Sequence, residues 1–163
     1  MNKERIRKIS NGLSAASIGL LLIALLIGFS FIRIGIQNLV AIDNVDIDTE
    51  TFSQTATKTE AELVVSNTQI SQVRYYVDGE EMNVDVQVYT DAYQVGNKLD
   101  LYYNNDDPSI VRVPDLFKTY YDKMGKMMLK IGIGIVGVCA VLGLICWLIS
   151  RSLRKKLTVN KEI

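Results

Sequence analysis

The side chains with the most chemical reach in this sequence are two thiols and one run of oxygen donors. Cys139 and Cys146 are its two cysteines, and it has no histidine. Spaced seven residues apart on a helix, the thiols stand two turns from each other. That is too far to hold one ion without further ligands, and no imidazole can complete the site. The missing histidine also removes Ser-His and Cys-His nucleophile pairs. Asn104, Asp106 and Asp107 offer oxygens to a calcium ion, but their spacing departs from the EF-hand loop. The run Asn104-Asn105-Asp106-Asp107-Pro108 reads better as a hydrogen-bonded turn. No phosphate-binding glycine loop is present. Neither catalytic, metal-binding nor cofactor-binding residues are expected, and no cofactor. Cys146, near the end of an apolar run, is a position open to palmitoylation.

That apolar run is one of a pair. Leu13–Ile32 and Ile131–Ile149 are uncharged, and each is about 20 residues long, the length a helix needs to cross hydrocarbon. The expected order is a cytoplasmic basic N-terminus (1–12), a transmembrane helix (13–32) and an acidic, Thr-rich linker or edge strand (33–61). An extracytoplasmic β domain (62–113) and an amphipathic helix leading into the membrane (114–130) follow. A second transmembrane helix (131–150) and a cytoplasmic basic tail (151–163) close the chain. The first run exceeds a signal-peptide core and no A-x-A site follows it, so it reads as an uncleaved anchor.

Charge sets the expected orientation. The termini are basic, whereas 34–126 carries 16 acidic and 7 basic side chains, a net −9. By the positive-inside rule both termini are cytoplasmic in the plasma membrane, with 33–130 extracytoplasmic. Tyr120 and Tyr121 at one membrane face, and Trp147, Arg151, Arg154, Lys155 and Lys156 at the other, are the expected interfacial residues. No ionisable residue interrupts either run, which argues against a proton relay or charged ion path. The Met-rich start of the second helical stretch reads as packing at a domain–membrane junction.

Within the runs, small residues recur at helical spacing. Gly132, Val136, Cys139, Gly143, Cys146 and Ser150 form one stripe. Ser17, Ala24 and Gly28 share a face of the first helix. Such stripes let backbones approach closely, within one hairpin or between chains.

The middle of the chain changes to a period near two. Val73, Tyr75 and Val77, then Met82, Val84, Val86 and Val88, alternate with polar residues on either side of Asp78-Gly79, a hairpin signal. Leu63 with Val65, Leu99 with Leu101 and Tyr103, and Val111 with Val113 continue the alternation. Pro114-Asp115 marks a helix start, with apolar residues at spacings of three and four from Leu116 onward. The fold class expected is α+β: two transmembrane helices flanking a small antiparallel β-meander domain.

The segments V-R-Y-Y-V-D-G (Val73–Gly79), G-N-K-L-D-L-Y-Y-N (Gly96–Asn104) and Asp107-Pro108 resemble a family of bacterial membrane proteins known as domain of unknown function 3592. The family pattern has proline where this chain has Asn105. The resemblance implies two membrane helices around a small β domain, and it supplies no activity.

The function expected is a non-enzymatic interaction module or accessory subunit of a membrane assembly. The alternative is a homo-oligomeric channel or transport component with an acidic vestibule. The expected partners are the lipid bilayer and another membrane protein or further copies of the chain, with no nucleic acid.

Overall fold

The structure, a computed structural model, describes residues 3–67 and 70–159. Two helical stretches, Glu4–Ser53 and Pro114–Lys155, are long and apolar enough to cross a membrane. The first comprises α1 (Lys3–Ile23), a π-helical turn (Ala24–Gly28) and α2 (Phe29–Ser53). The second is α3 (Pro114–Val159). Between them lie β1 (Ala56–Ser66), β2 (Ser71–Val77), β3 (Glu80–Val86), β4 (Lys98–Asn104) and β5 (Val111–Arg112). The fold is therefore α+β, and it divides into two compact units. One holds the helical chain up to Gly35 and from Met127 onward; the other is Ile36–Lys126.

The strands form one antiparallel sheet in the order β3-β2-β1-β4-β5. Alternation fixes its faces. Ala61, Leu63, Val73, Tyr75, Leu99 and Leu101 point inward and are buried with Val86, Val88, Val113 and Leu116. Leu116, Phe117 and Tyr120 put the start of α3 against this core. Pro114 suits the first helical turn, where its missing N–H is no loss, and Asp115 complements the helix dipole. Tyr75 is almost fully buried, stacks on Tyr103 with ring centroids 5.9 Å apart, and donates its hydroxyl to the Pro108 carbonyl. Burial raises its phenol pKa above the ordinary value.

The segment 33–61 departs from expectation. It is neither a linker nor an edge strand: α2 continues to Ser53, and β1 starts at Ala56 in the middle of the sheet. A half-buried stripe supplies the physical reason, and the Thr residues adapt to it. Asn38, Ala41, Val45, Thr49 and Phe52 are half-buried along one helical stripe. The Thr residues, poor helix formers, bond back to the helix: Thr49 Oγ1 to the Val45 carbonyl at 2.7 Å and Thr51 Oγ1 to the Ile47 carbonyl at 2.9 Å. The helical segment of the N-terminal half therefore extends well beyond 13–32 at both ends, and the β domain begins before residue 62.

A second departure is at Val65. The β1–β2 register shifts between Leu63 and Val65, a bulge that sends Val65 to solvent although its sequence phase matches Leu63.

Candidate functional site

In the first unit the small-residue stripes face each other. Gly132, Cys139, Gly143 and Ser150 are buried on α3, with Val136 and Cys146 half-buried. Ala24 and Gly28 are buried opposite them, with Ser17 half-buried. A β-carbon placed on Gly132 would lie 2.8 Å from both the Gly28 carbonyl oxygen and the Ile32 amide nitrogen. One placed on Gly28 would lie 2.6 Å from Val136 Cγ2. Gly132 is therefore required by close backbone approach, whereas Gly28 makes room for the Val136 side chain, with the Gly132 carbonyl oxygen 3.4 Å from its β-carbon position. Gly143 is different: a β-carbon there would make ordinary contacts with Ser17 at 3.8 Å. The Ser17 hydroxyl instead donates to the Gly143 carbonyl at 3.1 Å. The π-helical turn falls at this approach, with Ala24 and Gly28 as its buried residues.

At one end the seam becomes polar. Ser150 Oγ donates to the Ser10 carbonyl at 3.0 Å, and Ser10 Oγ donates to the Ser150 carbonyl at 3.3 Å. Ser14 Oγ lies 2.9 Å from Ser150 Oγ. Arg154 donates from Nε to Ser10 Oγ at 3.2 Å and from a terminal nitrogen to Ser14 Oγ at 2.9 Å. The three hydroxyl protons can serve the two carbonyls and the Ser14–Ser150 contact, and the Ser10 Oγ–Ser150 Oγ contact at 3.0 Å competes for the same protons. Sequence reasoning found Ser150 and Arg154 but missed Ser10 and Ser14. The signal was there, because Ser10, Ser14 and Ser17 extend the Ala24–Gly28 face at spacings of three and four.

The expected interfacial residues do not gather into one site. Trp147 is exposed with the Arg151 guanidinium over its ring at 5.2 Å. Lys155 is exposed, and the Lys156 side chain lies outside the described residues. Tyr120 packs against the sheet core and meets Tyr121 edge-on, centroids 5.6 Å apart.

In the second unit the outer sheet face is a lattice of cross-strand ion pairs. Lys58 meets Asp100 at 2.7 Å, Lys98 meets Glu60 at 2.6 Å and Arg74 meets Glu62 at 2.7 Å. The carboxylates raise the pKa of all three cations, chiefly through the side-chain hydrogen bond. Arg112 pairs with Asp48 at 2.7 Å and sits 5.0 Å above the Phe52 ring. Lys118 pairs with Asp46, Lys123 with Asp91 and Lys126 with Asp122. All 7 basic residues of this unit are thus engaged, and 9 of its 16 carboxylates have no ion-pair partner among the described residues. Four of those nine, Asp78, Glu80, Glu81 and Asp85, lie on the β2–β3 hairpin.

Cavities in this unit offer little chemistry. One of about 390 Å³ is lined by Ala41, Val45, Asp48, Arg112, Phe117 and Tyr121, and its only charged pair is Arg112–Asp48. Another, about 380 Å³, is lined by Asp46, Glu50, Asp100, Asp115 and Lys118, where Lys118 already holds Asp46. Among the described residues no group of three His, Cys, Asp or Glu is placed to hold a metal ion. Asn104, Asp106 and Asp107 form a turn: Asn104 Oδ1 accepts the Asp106 and Asp107 amides, and Asp107 Oδ1 accepts the Ser109 amide and hydroxyl. The bonds from Ser109 hold the Asp107 pKa below its ordinary value. Cys139 and Cys146 are both free thiols on the α3 seam.

Comparison with family models, with curated proteins and with solved structures finds no match to this chain.

Proposed function

We propose that this chain is a non-enzymatic two-pass membrane protein whose sheet domain lies outside the cytoplasm and serves as an interaction module or accessory subunit of a membrane assembly. The observation that carries this reading is the α1–α3 seam. A helix pair closed by Gly28, Gly132 and a hydroxyl network, with Leu21, Leu26, Ile133 and Leu144 turned outward, suits hydrocarbon as its solvent. In lipid an outward apolar surface of this extent is free of cost. Basic flanks at the termini and an acidic middle support cytoplasmic ends.

The same seam favours the accessory reading over a homo-oligomeric channel. Its small residues are used within one chain, so that stripe is not left to join many copies. The sheet domain carries an ion-paired face and an acidic hairpin, which suit charge-selective recognition.

The test is the mass of the full-length protein in lipid nanodiscs prepared directly from its native membrane, without crosslinking. A monomer, or a stable particle containing a second protein, is expected. A closed ring of its own copies would overturn the reading. Labelling of engineered cysteines in the sheet domain from outside intact cells checks the orientation; protection there would invert it.

A further inference from the structure

The β2–β3 hairpin ends in a two-residue loop. Asp78 has φ 52° and Gly79 φ 89°, the pair of left-handed residues of a type I′ turn. Such a loop makes its flanking residues, Val77 and Glu80, a mutually hydrogen-bonded pair. The register Val77↔Glu80, Tyr75↔Met82, Val73↔Val84 and Ser71↔Val86 then alternates with non-bonded pairs. Glu81, Asn83 and Asp85 therefore direct their backbone N–H and C=O groups away from β2. β3 is an edge of the sheet, and among the described residues no strand lies on that side. The opposite edge, β5, spans two residues, so the long free edge is β3.

Charge narrows what fits there. Glu80, Glu81, Asp85 and Asp78 crowd this hairpin. The nearest cation across the ladder, Arg74, is taken by Glu62. Two copies pairing antiparallel through β3 about Asn83 would set Glu81 against Asp85 twice, and like charges directly opposite are destabilising. Charged residues on an edge guard it against copies of itself. The same row is complementary to a strand bearing lysine or arginine at alternate positions.

Building on the interaction-module reading, we propose that the outer edge of β3 is a docking strand for an extended basic segment of a partner polypeptide, which adds to the sheet as a sixth strand. Backbone bonds at Glu81, Asn83 and Asp85 supply the affinity, and the carboxylates choose a cationic sequence.

The test uses full-length protein in zwitterionic-lipid nanodiscs and two nine-residue probes. One alternates lysine and valine; the other has the same side chains with its four central backbone nitrogens methylated. The alternating probe is expected to bind saturably and to slow amide hydrogen exchange at Glu81, Asn83 and Asp85, leaving Met82 and Val84 unchanged. Methylation removes the donors of the new ladder whichever way the strand runs, so its probe should bind about tenfold more weakly. The double variant Glu81→Lys, Asp85→Lys should lose the alternating probe. Equal binding of the two probes, protection elsewhere, or no binding overturns the proposal, and neither probe comparison depends on the variant folding. A native partner retained in full by the double variant would overturn the edge assignment and leave the module reading intact. Absence of any partner with the unaltered chain would count against the module reading itself.

Discussion

Gly132 packs directly on the Gly28 backbone: a β-carbon on Gly132 would stand 2.8 Å from the Gly28 carbonyl oxygen. Backbone against backbone leaves nothing to rotate aside, which makes this position sharper than the rest of the stripe.

Gly132→Ala should therefore force the helices apart and destabilise the pair by about 1–3 kcal/mol, the usual cost of overpacking. Gly134→Ala meets open space and should be neutral or stabilising by up to about 1 kcal/mol. Unfolding of both variants in mixed detergent micelles checks this. Equal stability of the two would mean that the seam is not close-packed.

Ser150→Ala removes the hydroxyl that bridges Ser10 and Ser14. A loss of about 0.6–2 kcal/mol is expected, the range for interhelical polar contacts in membranes. Ser152→Ala, exposed on the same helix, is the control. The same micelle titration reads both, and a Ser150 variant as stable as the control would remove the network from the account of the seam.

Ser71→Ala should raise stability. Ser71 is fully buried, and its hydroxyl has no hydrogen-bond partner among the described residues. Removing an unsatisfied buried group recovers about 1 kcal/mol. Chemical denaturation followed by tyrosine fluorescence measures the change. A fall in stability would reveal a partner for the hydroxyl, such as a bound water.

Stability of the sheet unit should be flat between about pH 5 and pH 9. The Lys123 pair holds Asp91 below its ordinary pKa, and bonds from Asn83 and Tyr76 do the same for Glu81. With Asp107 these contributions are present above the unfolded carboxylate range and disappear as pH falls through the folded values, below about pH 4. Lys58, Lys98 and Lys118 are raised by Asp100, Glu60 and Asp46. Their contributions are complete below about pH 10.4 and vanish as pH climbs through the folded values. Ionising the buried Tyr75 phenol works against the fold over the same alkaline range. With no histidine, nothing of that kind titrates in between. Thermal melts by circular dichroism across pH check the plateau; a step near pH 6.5 would contradict it.

Periodicity made much of this legible. The Gly132–Ser150 stripe and the Val73–Val88 alternation depend on spacing alone, and spacing survives in a sequence without context. The segment 33–61 was opaque because composition and period disagree there. Its Asp and Thr residues favour turns and strands, while the Asn38–Phe52 stripe that decides the matter is interrupted by Asn44 and Asp48. The central position of β1 was hidden for another reason. Lys58 and Glu60 look like solvent-facing edge residues until Asp100 and Lys98 are placed beside them, and that pairing is a property of two strands. Val65 was misleading because a bulge shifts the phase of a strand by one residue without any mark in composition.

The central strand also sets a clock. β1 leaves the ribosome before every strand it pairs with, yet it must accept β2 on one side and β4 on the other, with Ala56 waiting for Asn104. The β2–β3 hairpin can close locally in about 1–10 μs. The β1–β4 ladder needs the whole intervening chain, and at about 5–20 residues per second of synthesis that delay is on the order of seconds. During that interval the inner edge of β1 is bare. Lys58 and Glu60, later locked in the ion-paired face, stand guard over it against premature pairing with a neighbouring chain.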